Sequence, residues 1–322
     1  MAISTVAKSG LTTFDKFQRT GAGNTPATGV FVMAGNNSSV SNYATSADGI
    51  TWTLRSGTHM GQSWGLYKIG STFVNVAGGA ANVVSTVMDP VNGPVTTGGT
   101  RLATATVDAS GTDGVVYTNN GWAMWNVWGW HFNGFGFNNG GSSITFSSLV
   151  YGNGRWVRVT NGNIAYSIAT AEKFPAGLSY TGATSAVTSP HRVVFDNGIF
   201  VCSGSNGIAT STDAITWTQR SSAGDFRFSR IMYAGGLWFA GLSGGAFYTS
   251  PDAITWTART SMAGAYLVGA TFGAGVWCVM TAAGSLFSSP DGVTWTSRTN
   301  PVTGTNWTTD LSNQGSSVLA FG

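Results

Sequence analysis

The chain has 322 residues and a net charge of +3, with 8% charged residues, 42% hydrophobic residues, 46 glycines and 13 tryptophans. Its 15 Lys and Arg form no run able to neutralise a row of phosphates, so nucleic acid is not an expected partner, and the apolar content is too high for a disordered chain. No stretch reaches the roughly 18 uninterrupted apolar residues of a membrane helix, so no membrane insertion is expected. Cys202 and Cys278 lie in strand-like runs out of register with each other and read as two buried thiols.

The first segment, "MAISTVAKSGLTTFDKFQRTG", has no apolar block of signal-peptide length, which leads us to expect synthesis in the cytoplasm. From Phe31 an apolar run is followed by "SADGITWTLRS" at Ser46. This phrase returns as "STDAITWTQRS" at Ser211, "SPDAITWTART" at Ser250 and "SPDGVTWTSRT" at Ser289. Trp217, Trp256 and Trp295 follow at intervals of 39 residues, a period typical of propellers and other repeat arrays. Each unit reads as an apolar run, a turn, a second run ending in Tyr/Phe-Thr/Ser-Ser, the Asp turn, the Thr-Trp-Thr strand, and a polar stretch leading to "YAGG" or "FGAG".

Apolar runs such as "GLWFAGLSGG" from Gly236 suit a strand buried on both faces and are expected to be the first, inner strand of each unit. The alternation Ile215-Thr216-Trp217-Thr218 predicts a strand with Ile and Trp on one face. Copies of the inner strand fall near Phe31, Phe73, Leu102, Trp156, Phe200, Trp238, Trp277 and Val318. Residues 78–150 fit the template poorly. The last copy, "SSVLAFG", has no hairpin after it, while "AISTV" and "LTTFDKFQRTG" resemble second and third strands without a first. The expectation is therefore an all-β chain, residues 1–322 forming a single β-propeller of four-stranded blades. Eight blades are expected by repeat count, with seven as the alternative, and pairing of the N- and C-terminal strands should close the ring.

Ser-x-Asp-(Gly/Ala)-(Ile/Val)-Thr-Trp resembles the Asp-box of the bacterial neuraminidase repeat, although that pattern usually has one more residue between Asp and Thr. The longer units at Tyr151 and Tyr248 resemble Asp-box propeller repeats of bacterial surface and phage virion proteins. Asp48, Asp213, Asp252 and Asp291 are expected to accept hydrogen bonds from their own turn amides, helped by the preceding Ser, and so to be structural. Gly49 and Gly292 would allow positive φ, but Ala214 and Ala253 occupy the same place and argue against a strictly left-handed residue. The box Trp should anchor the hairpin by burying its ring.

Because the resemblance includes sialidases, catalysis has to be weighed. That chemistry uses a Tyr nucleophile helped by a Glu, with arginines on the substrate carboxylate, and other glycosidases use a carboxylate pair. Here Glu172 is the single Glu, and no pair stands out among the Asp residues. Arg55, Arg220, Arg259 and Arg298 each follow a box Trp by three residues and belong to the repeat. His59, His131 and His191 are isolated, so neither a metal site nor a cofactor is expected. The expectation is a protein that is not an enzyme.

The repeat breaks between Gly121 and Phe137, where "GWAMWNVWGWHFNGFGF" holds four Trp, three Phe and a His. The spacing from Tyr117 to Trp125 matches that from Tyr248 to Trp256, which makes Trp125 the expected ordinary anchor. Trp128, Trp130, Phe132 and Phe135, with His131, are then the candidate binding residues. Two readings stay open, an aromatic platform for a sugar or protein partner and a locally enlarged core.

Low charge, Gly/Ser/Thr/Asn richness and the repeat resemblance lead us to expect a phage virion structural protein, either a tail fibre, a spike or a capsid-surface component. It would be made in the host cytoplasm and located in the virion. Its expected partners are other virion proteins and a host cell-surface glycan or protein, and a homo-oligomer is compatible with this. The alternative is a bacterial surface or secreted glycan-binding propeller, or a catalytically lapsed glycosidase relative.

Overall fold

The computed structural model describes residues 29–34, 42–56, 148–160, 163–168, 179–222, 224–226, 231–242, 246–259, 262, 267–302 and 319–322, and between 62 and 133 the strands given below. All regular structure among the described residues is β, in seven antiparallel sheets of which five are four-stranded. Sheet 1 holds β1 (Phe31–Ala34), β2 (Asn42–Ser46) and β3 (Thr53–Ser56). Sheet 2 runs through β4 (Gln62–Ile69), β5 (Thr72–Gly79), β6 (Asn82–Asp89) and β7 (Gly93–Pro94), with β8 (Thr100–Arg101) also pairing with β6. Sheet 3 is β9 (Gly114–Thr118), β10 (Gly121–Asn126) and β11 (Gly129–Asn133).

Sheet 4 follows as β12 (Ser148–Gly152), β13 (Arg155–Thr160), β14 (Asn163–Ile168) and β15 (Thr181–Ala183). Sheet 5 is β16 (Arg192–Asp196), β17 (Ile199–Gly204), β18 (Gly207–Ser211) and β19 (Thr218–Ser221). Sheet 6 is β20 (Ile231–Ala234), β21 (Leu237–Gly241), β22 (Phe247–Ser250) and β23 (Thr257–Arg259). Sheet 7 is β24 (Leu267–Gly273), β25 (Val276–Thr281), β26 (Leu286–Ser289) and β27 (Thr296–Arg298). The last strand, β28 (Leu319–Phe321), returns to sheet 1 and pairs with β1.

The phase of the unit differs from the sequence expectation. The run before "YAGG" pairs forward through a tight hairpin to "LWFAG", so Leu237–Gly241 is the second strand of its sheet and Ile231–Ala234 the first. First strands also lie beside one another from sheet to sheet, β9 beside β12, β12 beside β16, β16 beside β20, and β28 beside both β24 and β4. First and second strands are both almost wholly buried, so an apolar run does not reveal which of the two it is. The expected Thr-Trp-Thr strand begins one turn later, at Thr218, Thr257 and Thr296, because Ile215 and its equivalents belong to the Asp turn and are exposed.

The eight inner-strand copies fall in six of the seven sheets among the described residues. The Phe31 and Val318 copies share sheet 1, and the strand next to Leu102 is an addition to sheet 2. Sheet 3 was missed, its second strand carrying Trp122. The proposed contribution of "AISTV" and "LTTFDKFQRTG" lies outside the described residues. Sheet 1 reaches four strands without them, and β28 pairs with β1.

An aromatic pair links first to second strand across the hairpin, with Tyr151 opposite Trp156, Phe195 opposite Phe200, Tyr233 opposite Trp238 and Phe272 opposite Trp277. Ring centroids in these pairs lie 4.5 to 5.2 Å apart. In sheet 1 the same pair is made from distant segments, Phe321 and Phe31, at 4.6 Å. Mutual backbone bonds between Val30 and Gly322 reproduce what a hairpin does elsewhere.

The core lies between sheets. The second-strand ring and the residue two positions on face the preceding sheet, while the alternate positions face the following one. Phe31 and Met33 thus pack with Cys278 and Met280, and Phe200 and Cys202 with Val157 and Val159. Trp238 and Ala240 meet Val201 in the same way, and Trp277 and Val279 meet Phe239. First-strand rings sit on glycines of the sheet before. Phe195 covers Gly152 and Phe321 covers Gly273, so closely that a Cβ on either glycine would collide with the ring.

Candidate functional site

The repeated Asp turns explain themselves locally. In each, the Ser hydroxyl bonds Asp Oδ1 at 2.8 to 2.9 Å, and the same oxygen accepts the amides two and three residues on, as with Ile215 and Thr216 on Asp213. In the Asp213, Asp252 and Asp291 turns the third-residue amide is the leading cause that holds the carboxyl below its usual range, down to about 2 for Asp291. At Asp48 partial burial pushes the other way and is outweighed by the bonds from Thr51 and Ile50. These carboxylates are committed to their own amides, as expected.

Contrary to expectation, the residue after Asp is left-handed in all four turns, with φ of 68° at Gly49, 62° at Ala214 and Ala253, and 70° at Gly292. The two alanines are fully buried, and their methyl groups join the inter-sheet cores. At Gly49 that space is taken, since a Cβ there would come within 2.6 Å of Cys278 Sγ. The box Trp is buried at Trp217 and only partly buried at Trp52, Trp256 and Trp295. Its indole N–H caps the turn by donating to the carbonyl of Gly49, Ala214 or Ala253 in three of the boxes.

The arginines three residues after each box Trp are equally spoken for. Arg55, Arg220, Arg259 and Arg298 donate through Nε to Thr45, Thr210, Thr249 and Ser288 on the adjacent strand, at 2.6 to 3.1 Å. Glu172, His59, Arg227 and Arg230 lie outside the described residues. Among the described residues no group of His, Cys, Asp or Glu is placed to hold a metal ion. Cys202 and Cys278 are free and buried, and burial pushes both thiols up.

The aromatic segment forms sheet 3. Tyr117 lies in its first strand opposite Trp122, as Tyr151 lies opposite Trp156, so Trp122 is the repeat anchor and Trp125 is surplus. The eight-residue spacing misled because Tyr248 belongs to a third strand. Trp130, His131 and Phe132 lie on β11, opposite Trp125, Met124 and Ala123, while Trp128 and Phe135 fall outside the described residues. Strand alternation groups positions 125, 130 and 132 on one face of sheet 3 and places 131 on the other.

Sheet 4 carries Arg158, which the sequence offers only as one of six arginines outside the repeat (Arg101, Arg155, Arg158, Arg192, Arg227 and Arg230) from which a substrate-holding cluster would have to come. Arg158 stands two positions after the Trp156 ring, where sheets 1, 5, 6 and 7 have the buried Met33, Cys202, Ala240 and Val279. Aligning the units on the second-strand ring would have found it. Its guanidinium lies over the Tyr180 ring at 4.0 Å, while its Nε is buried with no hydrogen-bond partner. Burial raises the Tyr180 phenol well above its usual range, and the neighbouring Arg158 charge pulls it only partly back. Arg155, three positions earlier, falls on the opposite face, so the two arginines do not converge.

No family model matches the chain, and no curated protein matches its sequence. Solved structures do match in shape. YCF48 from Cyanidioschyzon merolae is 14% identical with a TM-score of 0.52, covering 84% of this chain and 98% of that one. Kluyveromyces lactis Hsv2 is 9% identical with a TM-score of 0.50, covering 80% and 92%. The extracellular domain of the putative one component system BT4673 from B. thetaiotaomicron is 12% identical with a TM-score of 0.50, covering 80% of this chain but 41% of that one. These neighbours are β-propellers, and at such identities the likeness concerns the fold alone.

Proposed function

We propose that the chain is a non-catalytic recognition propeller of a phage virion, a tail fibre, spike or capsid-surface component that binds a host surface or a neighbouring virion subunit. In this reading residues 1–322 are one domain of seven blades, and β28 closes the ring by completing the blade of β1. The observation that carries the proposal is the division of labour along the chain. Repeated carboxylates and arginines are used within their own turns, whereas sheets 3 and 4 depart from the repeat with surplus aromatic positions and Arg158. Groups that serve every blade alike are architecture, and residues that break a repeat are where recognition is expected. Low charge and Gly/Ser/Thr/Asn richness support the virion assignment. Mass spectrometry of purified particles tests it, with the protein expected at stoichiometric abundance, and its presence in host lysate but not in particles would overturn the virion role.

A further inference from the structure

Three Asn-Gly steps lie among the residues whose side chains are described, Asn153-Gly154, Asn197-Gly198 and Asn206-Gly207. The first two are matched two-residue turns between first and second strands, closed by the pairing of Gly152 with Arg155 and of Asp196 with Ile199. Both asparagines are left-handed, with φ of 45° and 46°, and their glycines follow at 75° and 78°. Hairpins of this kind favour Asn-Gly because both positions need positive φ. The backbones are therefore alike, and the side chains are not. Asn153 donates through Nδ2 to the carbonyls of Thr212 at 2.9 Å and Gly198 at 3.3 Å, both in turns of sheet 5. Asn197 is exposed, and among the described residues no bond reaches its side chain, while its backbone N–H donates to Asp196 Oδ1 at 2.6 Å. Asn206 accepts the Thr188 N–H on Oδ1 at 2.6 Å, and its Gly207 is the ladder partner of Gly204.

We propose that Asn197 is a site of spontaneous deamidation, the one Asn-Gly step among the described residues at which the fold restrains neither the leaving nor the attacking nitrogen. The Gly198 amide nitrogen, inside the loop and outside the strand pairing, attacks Asn197 Cγ. A C–N bond forms to close a five-membered imide, the Cγ–Nδ2 bond breaks, and Nδ2 leaves as ammonia with the proton given up by the Gly198 nitrogen. Water then opens the ring at either carbonyl to give aspartate or isoaspartate, and no oxidant or reductant is needed. Glycine suits the attacking position because it has no Cβ to crowd the ring. At Asn153 the leaving nitrogen is the atom tied to sheet 5, so its two bonds must break first. At Asn206 the attacking nitrogen belongs to a ladder residue. Isoaspartate at 197 lengthens the main chain by one carbon inside the loop that closes Asp196 on Ile199, and it sets a carboxylate beside the buried Asp196. It therefore loosens the hairpin that holds Phe195 against Phe200. The modification is independent of the recognition role proposed above.

The test is ageing of the full folded chain at mildly alkaline pH, where the glycine amide gives up its proton more readily, followed by peptide mass spectrometry that assigns aspartate and isoaspartate to each asparagine. Asn197 is expected to convert at least about tenfold faster than Asn153 or Asn206, the factor set by having to break ordinary hydrogen bonds before reaction. In denaturant, where those bonds are gone, the three sites should convert at similar rates. Asn197→Gly keeps a residue suited to the left-handed turn and serves as the protected control. Melted before and after ageing, the native protein should lose more of its melting temperature than Asn197→Gly. Conversion of Asn153 or Asn206 in the folded chain as fast as that of Asn197 would overturn the proposal. So would a rate gap that persists undiminished in denaturant, or equal losses of melting temperature in the native protein and Asn197→Gly.

Discussion

Sheets 5, 6, 7 and 1 form an unbroken run in which the turn between third and fourth strands carries the repeated Ser-x-Asp phrase, whereas the sequence between Gln62 and Ala183 holds no copy of it. In the first run the turn carboxylates and the arginines that follow them bond within ten residues, and the clusters between sheets are built of apolar side chains. In the second, sheet 4 places Arg158 where the first run places aliphatic or thiol groups, and sheet 3 adds tryptophans to positions the repeat fills with smaller residues. Repetition is thus a mark of turns that satisfy themselves locally, and sheets 3 and 4 are where the chain departs from that pattern.

The comparison can be broken most severely at the place where the regular run returns to the first strands. Deleting Ser316 to Gly322 removes Leu319 and Phe321 from a buried core and strips β1 of its neighbour. The truncated chain should fail to melt cooperatively, and a melting curve like that of the intact protein would refute the role of β28. Gly273→Ala should come next, costing about 1–3 kcal/mol in chemical denaturation because its methyl would press on the Phe321 ring.

Within the irregular run, Trp130→Ala is expected to leave melting nearly unchanged and to weaken attachment to host cells or virion neighbours by roughly 2 kcal/mol. Loss of about 3 kcal/mol of stability without a specific binding defect would make the aromatic excess a larger core instead. A smaller effect sharpens the comparison inside the boxes. Gly49→Ala should destabilise by about 1–2 kcal/mol, since the methyl meets Cys278 Sγ, while Ala214→Gly should stay within about 1 kcal/mol of the native protein. In the second case relief of the left-handed alanine is offset by a lost buried methyl.

The smallest expected effect is a pH dependence. The folded Asp291 carboxyl titrates at about 2, below its ordinary 3.8, so its contribution to stability is complete above pH 3.8 and fades as pH falls towards 2. Asp291→Asn should melt lower than the native protein at pH 6 and approach it at pH 2. Parallel melting curves across that range would show that the box carboxylate does not stabilise its turn.

What the sequence determined by itself is whatever is settled over a few residues. The Asp turn, the Ser that supports it and the arginine that returns to the third strand are all satisfied within ten residues of one another, so each copy announces itself in the order of letters. The repeat period and the all-β class follow from the same local signals. Tertiary structure decided the rest. Which of two buried runs comes first in a sheet depends on the neighbouring sheet, and Phe321 finds Phe31 across almost the whole chain. Even the choice between Gly and Ala after the box Asp is made at a distance. The backbone conformation is the same in all four, but Cys278, 229 residues away, fills the space at Gly49 that a methyl occupies at Ala214, because close-packed interiors admit one atom per place.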